Sequence, residues 1–254
     1  VQHRFGVRLD MRQVIEAPDF KAIAEFIRRA DSSVASAMPE LVHAPRTGSL
    51  PVSLAQRRMW LVDVLSNSNS AYNISNTVRL DGPLDVTALE RAINEIVARH
   101  EVLRTCFPQG EREPRQEVLP ATPMPLEITD LSDLPTEAQE ACWQERAKQM
   151  LQRQHDLERG PLFQSALLRL GPESAILVLV FNHIIYDNVW SSGIFFRELG
   201  ALYSAFTTGQ TQTPLAPLEY QFADYAVWER ERASKGDLKP QLAYWKQQLA
   251  DLPE

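Results

Sequence analysis

The stretch of the chain richest in chemistry is Val180-Phe181-Asn182-His183-Ile184-Ile185-Tyr186-Asp187-Asn188. Its histidine follows a long apolar run and precedes a helix-like pattern, so His183 is expected between a buried strand and a helix. A neutral imidazole held there can accept a proton from an incoming nucleophile, and an ordinary pKa of about 6.5 suits that task close to neutral pH. Asp187 and Asn188 stand where either side chain can cap the next helix by accepting from its free first-turn amides. A blander reading fits the same residues. A single histidine beside apolar neighbours is commonly a hydrogen-bonded core residue, and spacing alone leaves both readings open. His3, His43 and His155 lie in polar stretches and join no constellation. No metal-ligand spacing, glycine-rich phosphate loop or Ser-His-Asp set stands out, so neither a metal nor a nucleotide is expected.

The elements that must position His183 follow from periodicity. Ala175 to Ile185 is apolar on both faces, as a central strand covered on each side requires. Leu162 to Leu170 reads as a strand before it, with Gly171-Pro172 turning the chain and Gly160-Pro161 breaking the preceding element. A helix is expected after it, with Ile194, Phe195, Leu199, Leu202, Tyr203 and Phe206 inward. Upstream, Val86, Leu89, Ile93, Ile96 and Val97 line one face of a helix of roughly four turns. Leu103 to Phe107 reads as a short strand and Pro108 to Pro135 as a polar, proline-rich connection. Thr136 to Gln154 reads as an exposed helix. Phe20, Ile23 and Ile27 form an amphipathic helix face in residues 1–30, a unit too small to bury its own core. Pro18 suits the first turn of that helix, and Asp19 places negative charge near its positive end. Residues 31–50, rich in Ser, Ala and Pro without a period, are expected as a linker. The pattern predicts an α/β (α+β) class with a buried sheet carrying helices.

Composition narrows the partners. The chain has 254 residues, 44% hydrophobic and 23% charged, enough for a core of ordinary surface polarity. A net charge of −7 and a pI of about 5.4 argue against a nucleic-acid partner, which calls for clustered positive charge. The longest apolar run, Ala175 to Phe181, falls far short of the roughly 20 residues that cross a bilayer, so no membrane partner is expected. Two unrelated cysteines, Cys106 and Cys142, provide neither a disulfide framework nor a cysteine-rich metal site, which suits a reducing cytoplasm. Val1 opens the chain within a helical pattern, so a longer parent is expected.

Four ordered segments carry a resemblance. They are Ser53-Leu54-Ala55-Gln56-Arg57-Arg58-Met59-Trp60, Arg99-His100-Glu101-Val102-Leu103-Arg104-Thr105-Cys106-Phe107, Asn182 to Asn188, and Tyr220-Gln221-Phe222-Ala223-Asp224-Tyr225-Ala226-Val227-Trp228. Together they resemble the first four signature motifs of nonribosomal peptide synthetase condensation domains. Ser70-Ala71-Tyr72-Asn73-Ile74, Gly160-Pro161-Leu162-Phe163 and Tyr244-Trp245 add supporting matches. Residues 1–30, with Phe5-Gly6-Val7 and Ala17-Pro18, resemble the end of a peptidyl carrier domain.

The resemblance implies a chloramphenicol-acetyltransferase-like lobe with a central mixed sheet covered by helices, preceded by a helical carrier-domain remnant. On it, residues 51–254 are the N-terminal lobe of a condensation domain whose second lobe lies beyond Glu254. Such domains join a donor acyl thioester to an acceptor amine. Both substrates ride on phosphopantetheine arms of partner carrier domains, beside an adenylation domain. The carrier's attachment serine is absent here. By resemblance His183 positions or deprotonates the amine or stabilises the charged tetrahedral intermediate, and Asp187 is a scaffold residue that pairs with an arginine. Arg57, Arg58 and Trp60 begin a lobe helix, with Arg58 a candidate near the tunnel. Two departures from the family pattern stand out: Asn182 replaces a first His, and Asn188 replaces a Gly. Asn182 retains hydrogen-bonding capacity, and Asn188 tolerates a left-handed backbone better than other non-glycine residues. The departures keep an alternative in view, a catalytically silent platform that recruits a tailoring oxygenase to a carrier-bound amino acid. A free-standing acyltransferase using coenzyme A is a third reading, disfavoured by the carrier-like start. His100, Glu101 and Arg104 are read as structural charges needing partners, and Tyr220, Tyr225 and Trp228 as packing residues.

Overall fold

The computed structural model describes residues 19–29, 40–47, 50–66, 70–111, 113–236 and 238–250. The chain divides into two units, residues 1–42 and 43–254. In the first, α1 (Phe20–Arg29) starts where the apolar spacing predicts a helix. Asp19 Oδ1 accepts the Ala22 amide at 2.8 Å and so caps it. The carrier-like residues Phe5-Gly6-Val7 and Ala17-Pro18 lie outside the described residues.

The second unit runs β1 (Leu50–Pro51), α2 (Leu54–Leu65), a 3-10 turn (Ser70–Tyr72), β2 (Asn73–Asp81) and α3 (Val86–Arg99). A second 3-10 turn (Glu101–Arg104), β3 (Thr105–Cys106), β4 (Arg115–Val118), β5 (Glu127–Asp130) and α4 (Thr136–Gln152) follow. The remaining elements are β6 (Phe163–Gly171), β7 (Ser174–Asn182), α5 (Trp190–Thr207), α6 (Phe222–Lys235) and α7 (Lys239–Gln248).

β7 is the centre of the fold. It pairs antiparallel with β2 along its whole length and with β6 on its other side; β5 joins β6 in parallel, giving the order β2-β7-β6-β5. Successive side chains of a strand point to opposite faces, and both faces of β7 are apolar. Leu177, Leu179 and Phe181 pack with Leu89, Ile93 and Ile96 of α3 and with Phe195, Leu199 and Leu202 of α5. Ile176, Val178 and Val180 pack with Met150, Trp143 and Ala147 of α4. Helices therefore cover both faces of a mixed sheet. A smaller sheet, β1-β4-β3, lies apart from it.

Several sequence expectations need correction. Leu103 and Arg104, read as strand, belong to a 3-10 turn whose Glu101 carbonyl accepts the Thr105 hydroxyl at 2.7 Å; only Thr105–Cys106 is strand. The connection from Pro108 to Pro135 contains β4 and β5. Their faces are polar or exposed, and Gln116, the buried residue of β4, holds the Pro51 carbonyl at 2.7 Å, so no apolar alternation marks them. β2 carries no clear sequence signal, because polar residues interrupt its alternation. β7 stops at Asn182 rather than continuing to Ile185, and Ile194 is exposed rather than inward. The last part of the stretch expected as linker is built into the second unit: Ala44 and Leu50 are buried with Ala223.

Candidate functional site

The chain leaves β7 through a turn tied at several points. The His183 amide donates to the Tyr72 carbonyl at 2.7 Å, at the start of β2. The Ile185 amide donates to the Asn182 carbonyl at 3.1 Å. Asn182, only 3% exposed, accepts the Ile184 amide on Oδ1 at 3.0 Å, a side chain taking the place of a backbone turn acceptor. The first departure from the family pattern thus works as a loop former.

His183 is half-buried, and its Nδ1 lies 2.7 Å from the Tyr186 carbonyl. A carbonyl can only accept, so Nδ1 carries the proton. In the neutral ring Nε2 is then the acceptor. Tyr186 is held in turn: its ring stacks on Phe181 with centroids 3.8 Å apart, and its hydroxyl donates to Ser192 Oγ at 3.0 Å. Burial raises the Tyr186 pKa, so the phenol stays neutral. Phe181 stacks on Phe163 and meets the edge of Phe195.

Asp187 caps α5. Its Oδ1 accepts the amides of Val189 and Trp190 at 2.8 and 2.9 Å, and its Oδ2 accepts the Ser191 hydroxyl at 3.2 Å. Burial pushes the carboxyl pKa up, but these donors outweigh it and leave the group below the usual carboxylate range. Among the described residues no arginine pairs with Asp187. The scaffolding is done by backbone amides and a hydroxyl, which serve a capping carboxylate equally well. Asn188 is exposed and accepts from Ser192 Oγ at 3.3 Å. No described non-glycine residue has a positive φ, so the tolerance of Asn188 for a left-handed backbone is not used.

The remaining candidates separate. Arg58 is exposed on α2, and no described hydrogen bond or ion pair joins it to the His183 loop. Its neighbour Arg57 lies 3.3 Å from Glu113. The residue of that motif that does reach the loop is Gln56, buried, with Nε2 3.4 Å from the Ile184 carbonyl. Its Oε1 accepts the Ser53 amide while Ser53 Oγ accepts the Gln56 amide, a reciprocal cap that the Ser-x-x-Gln spacing could have revealed. His100 pairs with Glu198 at 2.7 Å and Glu101 with Arg46 at 2.8 Å, as structural charges should. A cavity of about 80 Å³ opens beside the loop between Val102, Leu103, Ile185, Tyr186 and Phe195. Val189 and Trp190, next to it in sequence, are 76% and 79% exposed.

His155 departs from its expectation. It is buried, its Nδ1 lies 3.0 Å from Asn73 Oδ1, and its Nε2 lies 2.9 Å from Gln164 Nε2. Burial, aided by the Arg153 charge, pushes its pKa down to about 4. Among the described residues no cluster of three His, Cys, Asp or Glu side chains could hold a metal ion, and no helix is long and apolar enough to cross a membrane.

A mixed sheet clothed by helices, with a tethered histidine where its central strand ends, defines a chloramphenicol-acetyltransferase-like lobe. Residues 46–254 match the family model of the condensation domain, and the chain belongs to that family. It is 40% identical over 226 residues to chondramide synthase of Chondromyces crocatus, a match that covers 89% of this chain and 6% of that protein. It is 33% identical over 259 residues to the dimodular nonribosomal peptide synthase of Bacillus subtilis, covering 100% of this chain and 10% of that one. The chain thus spans a small fraction of these relatives' length. Among solved structures, the complex of the X-domain and OxyB from teicoplanin biosynthesis superposes with a TM-score of 0.72 at 31% identity, covering 85% of this chain and 46% of that one.

Proposed function

We propose that the chain is part of a nonribosomal peptide synthetase, and that in its parent it supplies the lobe carrying the amide-forming histidine of a condensation domain. The observation that carries this reading is the tether of His183: with Nδ1–H held by the Tyr186 carbonyl, Nε2 is left to face an amine. The acceptor amine nitrogen bonds to the thioester carbon and the carbon–sulfur bond breaks. The amine proton passes to Nε2 of His183, then to the departing sulfur, which leaves as a thiol. Both substrates arrive on the phosphopantetheine arms of upstream and downstream carrier domains, with an adenylation domain adjacent, in the cytoplasm. Residues 1–30 are the end of a carrier domain, and the linker that follows leads into the first lobe, whose packed core already includes Ala44 and Leu50.

A second reading is favoured by one comparison. The X-domain it resembles was solved with OxyB, which supports a platform that recruits an oxygenase to a carrier-bound amino acid. Single-turnover transfer between two loaded carriers, followed by intact-protein mass spectrometry on the full-length parent, separates the two. Amide product that His183→Ala removes supports catalysis. No product from the native parent, with carrier-dependent binding of an oxygenase, overturns it in favour of the platform.

A further inference from the structure

A chain of hydrogen bonds whose direction is set from both ends runs from Arg153 through His155 to the start of β2. Arg153, always charged, donates from Nη1 to Gln164 Oε1 at 3.3 Å. That orients the Gln164 amide so that its Nε2 donates to His155 Nε2 at 2.9 Å. At the other end, Asn73 Nδ2 donates to the carbonyls of Leu151 and Arg153 at 2.8 and 2.7 Å, where α4 ends. Asn73 Oδ1 is therefore turned to His155 and accepts its Nδ1–H at 3.0 Å. Both ring nitrogens of His155 are used, one as acceptor and one as donor, and only the neutral ring satisfies both. An imidazolium would set Nε2–H against the Gln164 amide N–H, and Gln164 cannot turn over without presenting N–H to Arg153.

This chain is anchored to the His183 loop. Asn73 pairs with Asn182 across β2 and β7, and the preceding residue, Tyr72, accepts the His183 amide at 2.7 Å. We propose that His155 is a positioning residue for His183: in its neutral form it locks the start of β2 against the end of α4, and its protonation releases that lock and loosens the His183 loop. The proposal rests on the reading of His183 as the working residue, yet its test does not depend on turnover. Among the described residues, the ring's hydrogen-bond partners are Asn73 of β2 and Gln164 of β6, both neutral. The end of α4 leads into Arg153, whose charge opposes protonation. The Asp156 carboxylate is occupied by the amides of Glu158 and Arg159 at 2.9 and 3.2 Å.

The test is nuclear magnetic resonance of the histidine-labelled chain, with amide exchange read at His183. The expected result is a neutral His155 bearing its proton on Nδ1 at pH 7. Its titration near pH 4 should coincide with changed ring signals and lost amide protection at His183. His155→Gln can donate to Asn73 and accept from Gln164 without titrating, so it should keep the protection at pH 7 and abolish the acid transition at His183. His155→Ala should cut His183 protection at pH 7 about tenfold or more, with His155→Gln as the folded control. The proposal is overturned if His155 titrates near 6.5, if His183 ignores the His155 titration, or if His155→Ala matches wild type at His183. Condensation activity enters none of these readings, so a silent domain would leave the inference standing or falling on its own.

Discussion

The Nδ1–H of His183 is held 2.7 Å from the carbonyl of Tyr186, three residues further along the same turn. The tyrosine that supplies this carbonyl is itself clamped by stacking on Phe181. The imidazole is oriented by a near neighbour in the chain, seated on an aromatic base, rather than by a carboxylate. No carboxylate is needed to set its tautomer. Ring nitrogen chemical shifts of the neutral His183 should report the Nδ1–H form. An Nε2–H tautomer would remove the acceptor on which the proposed proton transfer relies.

Asp187 works as a helix cap, and its substitutions should behave accordingly. Asp187→Ala leaves the amides of Val189 and Trp190 without their acceptor and should cost about 0.5–2 kcal/mol. Asp187→Asn, which retains an acceptor oxygen, should lose a smaller amount. Urea denaturation measures both. Equal losses in the two variants would point to the charge, as an unseen cationic partner requires, rather than to the cap.

Two acid limbs in stability follow from depressed pKa values. Burial alone would raise Asp224, but Arg46 grips both its oxygens and the amides of Gln221 and Ala44 donate to it, so it falls to about 2. An unfolded aspartate takes its proton near about 3.9, so below that pH the unfolded chain holds more protons than the folded one. The stability from this pair is complete above about pH 4 and is lost as pH falls through about 2. His155, neutral in the fold down to about pH 4, gives a separate limb: an unfolded histidine charges near about 6.5, so stability declines as pH falls from there toward 4. Denaturation midpoints across pH should show both limbs. His155→Gln should remove the upper and Asp224→Asn the lower; an upper limb that survives His155→Gln would assign it to another group.

The parts of this fold legible in the sequence are those where burial writes a period. β7 and the inward residues of α3 can be read because both faces of one and one stripe of the other are apolar. β2 cannot, since its residues are partly buried or exposed in a polar-rich run. Nor can the strands between Pro108 and Pro135, whose buried member is a glutamine. At the site, the position of His183 follows from the end of the apolar run. The roles of Tyr72 and Tyr186 do not, because both act through backbone carbonyls, which carry no side-chain signature. His155 escapes a sequence reading because its neighbours along the chain are polar, whereas its neighbours in space belong to β2 and β6.

Gln56 links α2 to the His183 loop from a fully enclosed place. Gln56→Ala strips the acceptor from the buried Ser53 amide and the donor from the Ile184 carbonyl. Leaving a buried polar group unpaired costs about 1–3 kcal/mol where no water replaces the lost partner. The expected outcome is a lowered urea midpoint with faster amide exchange in residues 183–186. Unchanged exchange there would show that Gln56 serves only the start of α2.

The two asparagines that break the family pattern should respond unequally to restoration. Asn182 is enclosed, and its Oδ1 holds the Ile184 amide. Asn182→His places a larger ring in filled space and removes that local bond, so it should destabilise by about 1–3 kcal/mol as an overpacked site does. Asn188 is exposed, needs no left-handed backbone, and contributes a single acceptor to Ser192. Asn188→Gly should therefore cost no more than about 1 kcal/mol, chiefly from the added freedom of the unfolded backbone. Thermal unfolding of the two single variants and the double variant measures this, and the double should track Asn182→His. In the full-length parent the same ordering should hold for single-turnover transfer, because the loop that Asn182 shapes carries His183, whereas Asn188 faces solvent. A stable Asn182→His beside a crippled Asn188→Gly would reverse the assignment and make the exposed asparagine the residue that sets the turn.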